Sequence, residues 1–176
     1  NALLNERQMN RFKFTTPCQR YTENTGYQVC NGFIAINNGG LFGVGLGNST
    51  QKYMYLPAAE TDFIFPVIIE ELGMLVGILI IGIYLYMLYR IIYIANSSYT
   101  LMHSVIAYGV AVYMLLHIIV NLAGVLGIMP LTGAPLPFLS YSGSYALNLA
   151  ASLAIVQRIT IENKIHQKKK MLNRGI

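Results

Sequence analysis

Four of the seven acidic residues of this chain lie in one short segment, LPAAETDFIFPVIIEEL, at residues 56–72: Glu60, Asp62, Glu70 and Glu71. A carboxylate at the edge of an apolar segment suits chemistry, because partial burial raises its pKa towards that of a useful general base. The nearest cation in the sequence is Lys52, which could meet a phosphate. These residue types fit a reaction on a lipid-linked phosphate. They fit equally well an Asp62 that only caps a helix, with Glu70 and Glu71 as interfacial residues.

The segments that must position these carboxylates are strongly apolar. Hydrophobic residues make up 55% of the chain and charged residues 11%, with a mean hydropathy of +0.49. No Asp, Glu, Lys or Arg occurs in residues 72–89 or in residues 91–157. Because about 20 apolar residues cross a bilayer as a helix, the pattern predicts an all-α integral membrane protein. A soluble protein would have to bury three such helices without amphipathic helices to cover them, and is disfavoured.

Prolines, glycines and short polar turns divide the chain into segments. We expect three transmembrane helices, at residues 66–95, 101–128 and 144–161, with Thr61 or Asp62 as the N-cap of the first. Residues 1–65 form the region before the first helix, and its stretch TPCQRYTENTGYQ is typical of a loop. Residues 129–143 form an apolar loop rich in Pro and Gly, and residues 162–176 form a basic tail.

The basic residues predict the orientation in the membrane. The positive-inside rule assigns the cytoplasmic side to Arg90, Arg158, Lys164, Lys168, Lys169, Lys170 and Arg174. Three spans put all of these residues on one side, and they leave residues 1–65 and 129–143 on the extracellular side. The net charge of +5 is then explained by topology or by contact with anionic lipid, and not by nucleic acid.

The first region has two further features that a site could use. The glycines of GGLFGVGLGNS match neither the dinucleotide fingerprint nor the phosphate loop, so we expect tight turns or close approach of the backbone. Cys18 and Cys30 have no further Cys or His nearby, which excludes a zinc site and favours two unpaired cysteines. Because the first residue is not Met and no signal-peptide pattern follows, we expect the C-terminal part of a longer protein.

Several motifs together resemble a known family: GLFGVGLGNS, YLP, TDFIF, EELG and MPLTGAPLPFLSYSGS. They are similar in order and separation to the C-terminal half of the shape, elongation, division and sporulation (SEDS) family, also called FtsW/RodA/SpoVE. The resemblance extends from about Gly26 to Arg158 and is closest to the division branch. It implies a fold of about ten spans with a large extracellular loop, and the activity of a membrane peptidoglycan glycosyltransferase in septal wall synthesis.

The resemblance also implies roles for individual residues. Asp62, in TDFIF, would be the catalytic carboxylate, which takes a proton from lipid II during an inverting glycosyl transfer. The substrate cavity would include Lys52, Glu70, Glu71, Pro137, Ser140, Tyr141, Gly143 and Ser144. Ala58 and Glu60 stand where the family usually has Glu and His, and Ser142 stands where it mostly has Gly.

No cofactor or metal-ligand set is implied with certainty, but Mg²⁺ or Mn²⁺ could help Lys52 to stabilise the departing pyrophosphate. The implied partners are lipid II, undecaprenyl-linked glycan, membrane lipid and a class B penicillin-binding protein among other division proteins. We expect this chain by itself to be inactive.

Two other functions compete with a glycosyltransferase. A flippase or transporter of lipid-linked precursors would need an ionisable residue deep within a span. The predicted spans hold only His103 and His117 there, and the carboxylates lie at the outer edge. A non-catalytic scaffold of the division machinery would tolerate Asp62→Ala.

Overall fold

The computed structural model describes residues 16–21, 24–56 and 59–172, and all regular secondary structure in these ranges is helical. The predicted all-α class is confirmed for them. Residues 1–15, Ala58 and Arg174 lie outside the described residues. The elements are a 3₁₀ helix at Pro17–Arg20 and the α-helices α1 Asn24–Gly39, α2 Thr50–Met54, α3 Ile64–Leu72, α4 Met74–Asn96, α5 Leu101–Val125 and α6 Gly143–Leu172.

One compact unit contains the described residues up to Ile81 together with His117–Ser142. In this unit α1 packs against α3, and the side chain of Phe63 is completely buried between them. A side chain at Gly32 of α1 would lie 3.2 Å from the Phe63 ring, so glycine permits this close packing. The buried apolar cluster consists of Val29, Leu56, Ala59, Phe63, Val67 and Val125. Phe63, a member of this cluster, follows Asp62 in the sequence, and the burial of its ring fixes the start of α3.

The first predicted span, residues 66–95, is interrupted at Gly73. There φ is 91° and ψ is 166°, a conformation almost restricted to glycine. The break leaves carbonyls of α3 and amides of α4 without helical partners. The backbone of residues 40–45 supplies those partners through four hydrogen bonds: Val44 N–H to Glu70 O (2.9 Å), Gly45 N–H to Glu71 O (3.0 Å), Met74 N–H to Gly40 O (2.9 Å) and Leu75 N–H to Leu41 O (3.4 Å). Apolar composition could not show this break, because the pairing is tertiary.

The second unit contains Gly82–Leu116 and the residues from Gly143 onwards. Its buried contacts join Ala95 of α4, Ala107 of α5 and Ile159 of α6. The turn between α4 and α5 is held by Asn163 of α6, whose side chain accepts from the N–H of Tyr99 and donates to Ser98 Oγ, each at 3.3 Å. A short polar turn that begins at Ser97 and Ser98 therefore separates α4 from α5.

Two helices in the described residues, α4 and α5, are long and apolar enough to cross a membrane, with mean hydropathies of 2.2 and 2.1. Only 22% and 33% of their most apolar windows are buried, whereas a core helix of a soluble protein is mostly buried. They overlap the first and second predicted spans, although α5 ends at Val125 and not at Ile128. The third predicted span lies within α6, which does not meet the same test and continues through the basic tail to Leu172. The three-span count stays a prediction.

A disulfide joins Cys18 to Cys30, so the expectation of two unpaired cysteines was wrong. The segment predicted as a loop is helical from Asn24, because α1 buries Val29 and Ala35, and this helix brings the two Cα atoms to 4.9 Å. Sequence spacing alone contains no information on such a pairing. Disulfides persist in oxidising compartments, which agrees with the extracellular orientation predicted for residues 1–65.

Removing the disulfide should destabilise the protein without affecting its helical content. With a sequence separation of 12, Cys18→Ser is expected to lower the free energy of unfolding by about 3 kcal/mol. Cys30→Ser should have the same effect, and the double variant should lose no more than either single one. Thermal unfolding of the detergent-solubilised full-length protein measures this. Alkylation of both thiols without a reductant would show that the bond does not form.

Candidate active site

Asp62 lies in the turn that precedes α3 and does not cap it. The N-cap position is Phe63, whose side chain makes no capping hydrogen bond, and the predicted cap at Thr61 or Asp62 is corrected. The reason is the burial of Phe63, which sets where the helix can begin. Partial burial raises the pKa of the Asp62 carboxyl, and a hydrogen bond with the Thr61 side chain offsets part of that rise. The Asp62 carboxylate is thus not used to cap α3, and its raised pKa is the property that a general base needs.

The proline- and glycine-rich loop backs directly onto this carboxylate. A Cβ atom at Gly133 would lie 3.2 Å from Asp62 Oδ2 and would crowd the carboxylate, and the φ of 75° there also favours glycine. The amide of Asn121 in α5 donates to the carbonyls of both Asp62 (3.0 Å) and Ala134 (2.7 Å). Asn121 therefore ties the carboxylate segment to the loop.

Ser140 and Tyr141, further along the same loop, bond to the backbone of the two residues that precede Asp62. Ser140 Oγ donates to the carbonyl of Thr61 (2.6 Å) and accepts from the N–H of Leu136 (2.7 Å). The N–H of Tyr141 donates to the carbonyl of Glu60 (2.8 Å). The structure thus places Ser140 and Tyr141 beside the turn that carries Asp62, where each bonds to a backbone carbonyl. Their place in a substrate cavity stays a prediction. The ring of Tyr141 is 81% exposed, and Pro137 is fully buried.

Asn121 and Gly133 were not selected from the sequence. A signal for Asn121 did exist, because an amide within an apolar helix is costly unless it is hydrogen-bonded and so marks a place where something must bond to it. Gly133 carried no comparable signal, since its importance depends on which side chain lies opposite.

Glu70 is 1% exposed and forms the centre of a polar cluster. Its carboxylate accepts from the hydroxyl of Ser49, from Thr50 Oγ1 at 3.1 Å and from Asn38 Nδ2 at 3.4 Å. Ser49 also caps α2 by accepting from the N–H of Lys52 at 3.0 Å. Glu70 thus joins α1, α2 and α3, and this burial does not support the predicted contact with substrate. Glu71 is partly buried, and one of its carboxylate oxygens has no partner among the described residues.

The two adjacent glutamates should therefore respond differently to truncation. Glu70→Ala leaves three donors without their acceptor, and we expect the free energy of unfolding to fall by about 3 kcal/mol or more. Glu71→Ala, the matched control, should lose less than about 1 kcal/mol, because it removes no hydrogen bond seen in the described residues. Chemical denaturation of the solubilised protein gives both values. Equal losses would mean that the Glu70 cluster does not stabilise this unit.

The remaining predicted site residues are more scattered. Lys52 lies in α2 with its Nζ 5.7 Å from the centre of the Tyr53 ring, and it forms no ion pair within the described ranges. Gly143 and Ser144 are exposed and are the first two residues of α6, in the second unit. Their roles stay predictions.

The side chains present do not build a metal site of their own. No group of three or more His, Cys, Asp or Glu side chains comes together in the part of the chain that the structure describes. Mg²⁺ is usually bound through one or two carboxylates plus substrate phosphates.

Comparison with known proteins supports the motif assignments. Residues 2–165 match the FtsW/RodA/SpoVE family model, described as a cell cycle protein. The chain is 43% identical over 143 residues to the "Probable peptidoglycan glycosyltransferase FtsW" of Coxiella burnetii, covering 80% of this chain and 38% of that protein. It is 38% identical over 170 residues to the Bacillus subtilis protein of the same name, covering 97% and 42%. The chain therefore spans well under half the length of these relatives.

Among solved structures, the fold is similar to a chain described under "Structural coordination of polymerization and crosslinking by a peptidoglycan synthase complex". The TM-score is 0.67 at 24% identity, covering 91% of this chain and 43% of that one. With α4 and α5 as candidate membrane spans, this is a bacterial membrane protein. The chain belongs to the FtsW/RodA/SpoVE family of cell cycle proteins.

Proposed function

We propose that the whole protein is a peptidoglycan glycosyltransferase that polymerises lipid II into glycan strands for the septal wall during cell division. Two relatives carry the name of this enzyme class. The observation that carries the proposal to particular residues is the Asp62 carboxylate, held against the loop at Gly133 and bonded through its backbone to Asn121. Because the chain spans 38% and 42% of these relatives, the activity is assigned to the whole protein.

In the proposed mechanism Asp62 is the general base. Its carboxylate takes the proton from the 4-hydroxyl of the GlcNAc of lipid II. The hydroxyl oxygen then attacks the anomeric carbon of the lipid-linked growing glycan and inverts it, and undecaprenyl pyrophosphate leaves with the bonding electrons. A positioned base of this kind contributes typically about 10²–10⁴-fold to the rate.

The surroundings of Asp62 support this role in two ways. Burial raises its pKa, and a base is most effective when its pKa approaches the working pH. Hydrogen bonds to the carbonyls of Glu60, Thr61 and Asp62 fix the backbone on which the carboxylate stands. Such fixation keeps a reacting group in its productive geometry, where small displacements reduce the rate strongly.

We further propose that α6 supplies a third span, that residues 1–65 and 129–143 are extracellular and that the C-terminus is cytoplasmic. A three-span layout puts Arg90 and the basic end of α6 on the same side of the membrane, and the positive-inside rule assigns that side to the cytoplasm. The disulfide between Cys18 and Cys30 supports an extracellular location for the first region. Asp62 then faces the compartment in which the wall is built.

The pyrophosphate leaving group needs positive charge nearby. We propose Lys52, together with a divalent cation that enters with the substrate phosphates, for this role. We also propose a class B penicillin-binding protein as the partner that cross-links the strands. The peptidoglycan synthase complex with a similar fold supports such a pairing only by analogy.

The pH dependence of polymerisation tests the role of Asp62. The base must be deprotonated, so activity should fall on the acid side as pH drops through its raised pKa, above the ordinary value of 3.8. Thr61→Val removes the hydrogen bond that lowers this pKa, so more of the carboxyl is protonated at each pH. The acid limb of kcat/KM for the full-length variant should move to higher pH, with its plateau kept.

Thr61→Ser is the control, because it keeps the hydroxyl and should keep the wild-type profile. An acid limb that stays in place in Thr61→Val would argue against Asp62 as the titrating base.

A further inference from the structure

A small polar cavity lies in the second unit, and none of the residues assigned to catalysis lines it. It has a volume of about 300 Å³ and lies where the end of α4 faces α6. Its polar lining comes from Arg90, Ser97, Thr160, Asn163, Lys164 and Gln167. The α6 residues recur at helical spacing, so they form one continuous face of that helix. Two cations, two hydroxyls and two amides thus line one cavity. The hydroxyls of Ser97 and Thr160 donate to carbonyls of α4 and α6, and the Asn163 amide holds the turn at Ser98 and Tyr99. The donors suited to phosphate oxygens are therefore Arg90, Lys164 and Gln167.

The positive charge of this cavity is not neutralised within the described residues. Arg90 and Lys164 form no ion pair there. The nearest carboxylate along α6 is Glu162, whose two oxygens are engaged by Arg158 Nε (2.8 Å) and by His103 Nε2 (3.3 Å). An anion that fills the cavity would therefore meet two unpaired cations.

The position of Arg90 makes an anionic partner energetically important. It lies six residues before the end of α4, about 9 Å along an otherwise apolar helix at 1.5 Å per residue. An arginine at that depth of a membrane span extends towards the phosphate level of the bilayer or pairs with an anion. The exposed apolar side chains Ile92 on α4 and Ile161 and Ile165 on α6 belong to the same two helices. The cavity can therefore open towards lipid as well as towards water.

We propose that this cavity binds the phosphate headgroup of an anionic membrane phospholipid, with Arg90 and Lys164 as its principal ligands. Ser97, Thr160 and Gln167 line the remaining wall, and acyl chains of the lipid lie along the apolar surfaces of α4 and α6. Basic pockets between membrane helices on the cytoplasmic side are a known physical solution for holding such headgroups. The proposal does not depend on the glycosyltransferase activity.

The test uses the full-length protein in nanodiscs of phosphatidylcholine, with or without phosphatidylglycerol. Native mass spectrometry counts retained lipid, and thermal unfolding reports stabilisation. Wild-type protein should retain phosphatidylglycerol preferentially and unfold at a higher temperature in its presence. Arg90→Gln/Lys164→Gln should bind it about 30-fold more weakly, because each basic side chain contributes roughly fivefold. Both side chains are exposed or partly exposed, so folding should survive the change.

Two controls make the result specific. Lys168→Gln/Lys169→Gln removes the same charge from exposed positions of α6 that do not line the cavity, and it should behave as wild type. Arg90→Lys/Lys164→Arg keeps the charge and should keep the lipid. Equal losses in the cavity variant and the Lys168/Lys169 control would reduce the effect to general surface charge and overturn the site. Equal stabilisation of lipid-free protein by inorganic phosphate would overturn the assignment to a lipid.

Discussion

Asp62→Asn is expected to reduce polymerisation of lipid II by about 10²–10⁴-fold, because it replaces the proposed base by a group that cannot accept the proton. Asparagine has nearly the shape of aspartate and can still accept the hydrogen bond from Thr61. The backbone bonds from Asn121, Ser140 and Tyr141 involve carbonyl groups and are untouched. The measurement is the yield and rate of glycan strands made by the full-length protein with its cognate transpeptidase.

The thermal stability of Asp62→Asn should not fall with its activity. Burial raises the pKa of Asp62, which means that the folded protein disfavours the charged form at neutral pH. A neutral asparagine removes that penalty, so the Tm of Asp62→Asn should equal or exceed the wild-type value. A loss of activity with undiminished Tm cannot be attributed to unfolding.

Glu60→Gln is the matched control, since it neutralises an exposed carboxylate two residues away and leaves the carbonyl of Glu60 bonded to Tyr141. It should keep activity within a few-fold of wild type. If Asp62→Asn polymerised lipid II as well as Glu60→Gln at equal expression, the glycosyltransferase role of this carboxylate would be wrong. Transport or scaffolding would then become the better explanation of the protein's function.

The sequence predicted those features that depend on composition and local motifs. Long segments without charge predicted α4 and α5. The cluster of carboxylates in the sequence directed attention to the turn before α3, which contains Asp62. The proline- and glycine-rich loop was expected to be irregular, and it is. These features depend on hydropathy and on residues adjacent in sequence.

The features that were missed depend on contacts between distant segments. Glu70 and Asp62 have similar apolar neighbours in sequence, yet Glu70 is buried under three donors from α1 and the start of α2, and Asp62 is not. The disulfide needed α1 to form where a loop was expected. Gly73 interrupts an apolar run that composition alone describes as one helix. The deciding partner lies 12 residues away for the disulfide and 20 or more residues away for Glu70 and for the break at Gly73, where periodicity carries no information.

Gly43→Ala is expected to destabilise the protein more than any other glycine substitution in the 40–47 segment, by about 3–5 kcal/mol. A Cβ atom at Gly43 would overlap the carbonyl of Glu71 and lie 2.7 Å from the backbone nitrogen of Gly73. Backbone atoms cannot rotate away as a side chain can. Relief requires the segment to separate from the helix break. The hydrogen bonds that this segment makes to the carbonyls of Glu70 and Glu71 would then be lost.

Gly47→Ala separates this steric effect from backbone strain. Its φ of 78° matches the 79° of Gly43, so both substitutions force alanine into the left-handed region at a cost of about 1–2 kcal/mol. No atom lies within 4 Å of a Cβ at Gly47, so only the strain remains. Thermal and denaturant unfolding of the two full-length variants should therefore differ by about 2–3 kcal/mol. Equal stability would mean that residues 40–45 do not dock on the break at Gly73, and that the carbonyls at the end of α3 find other partners.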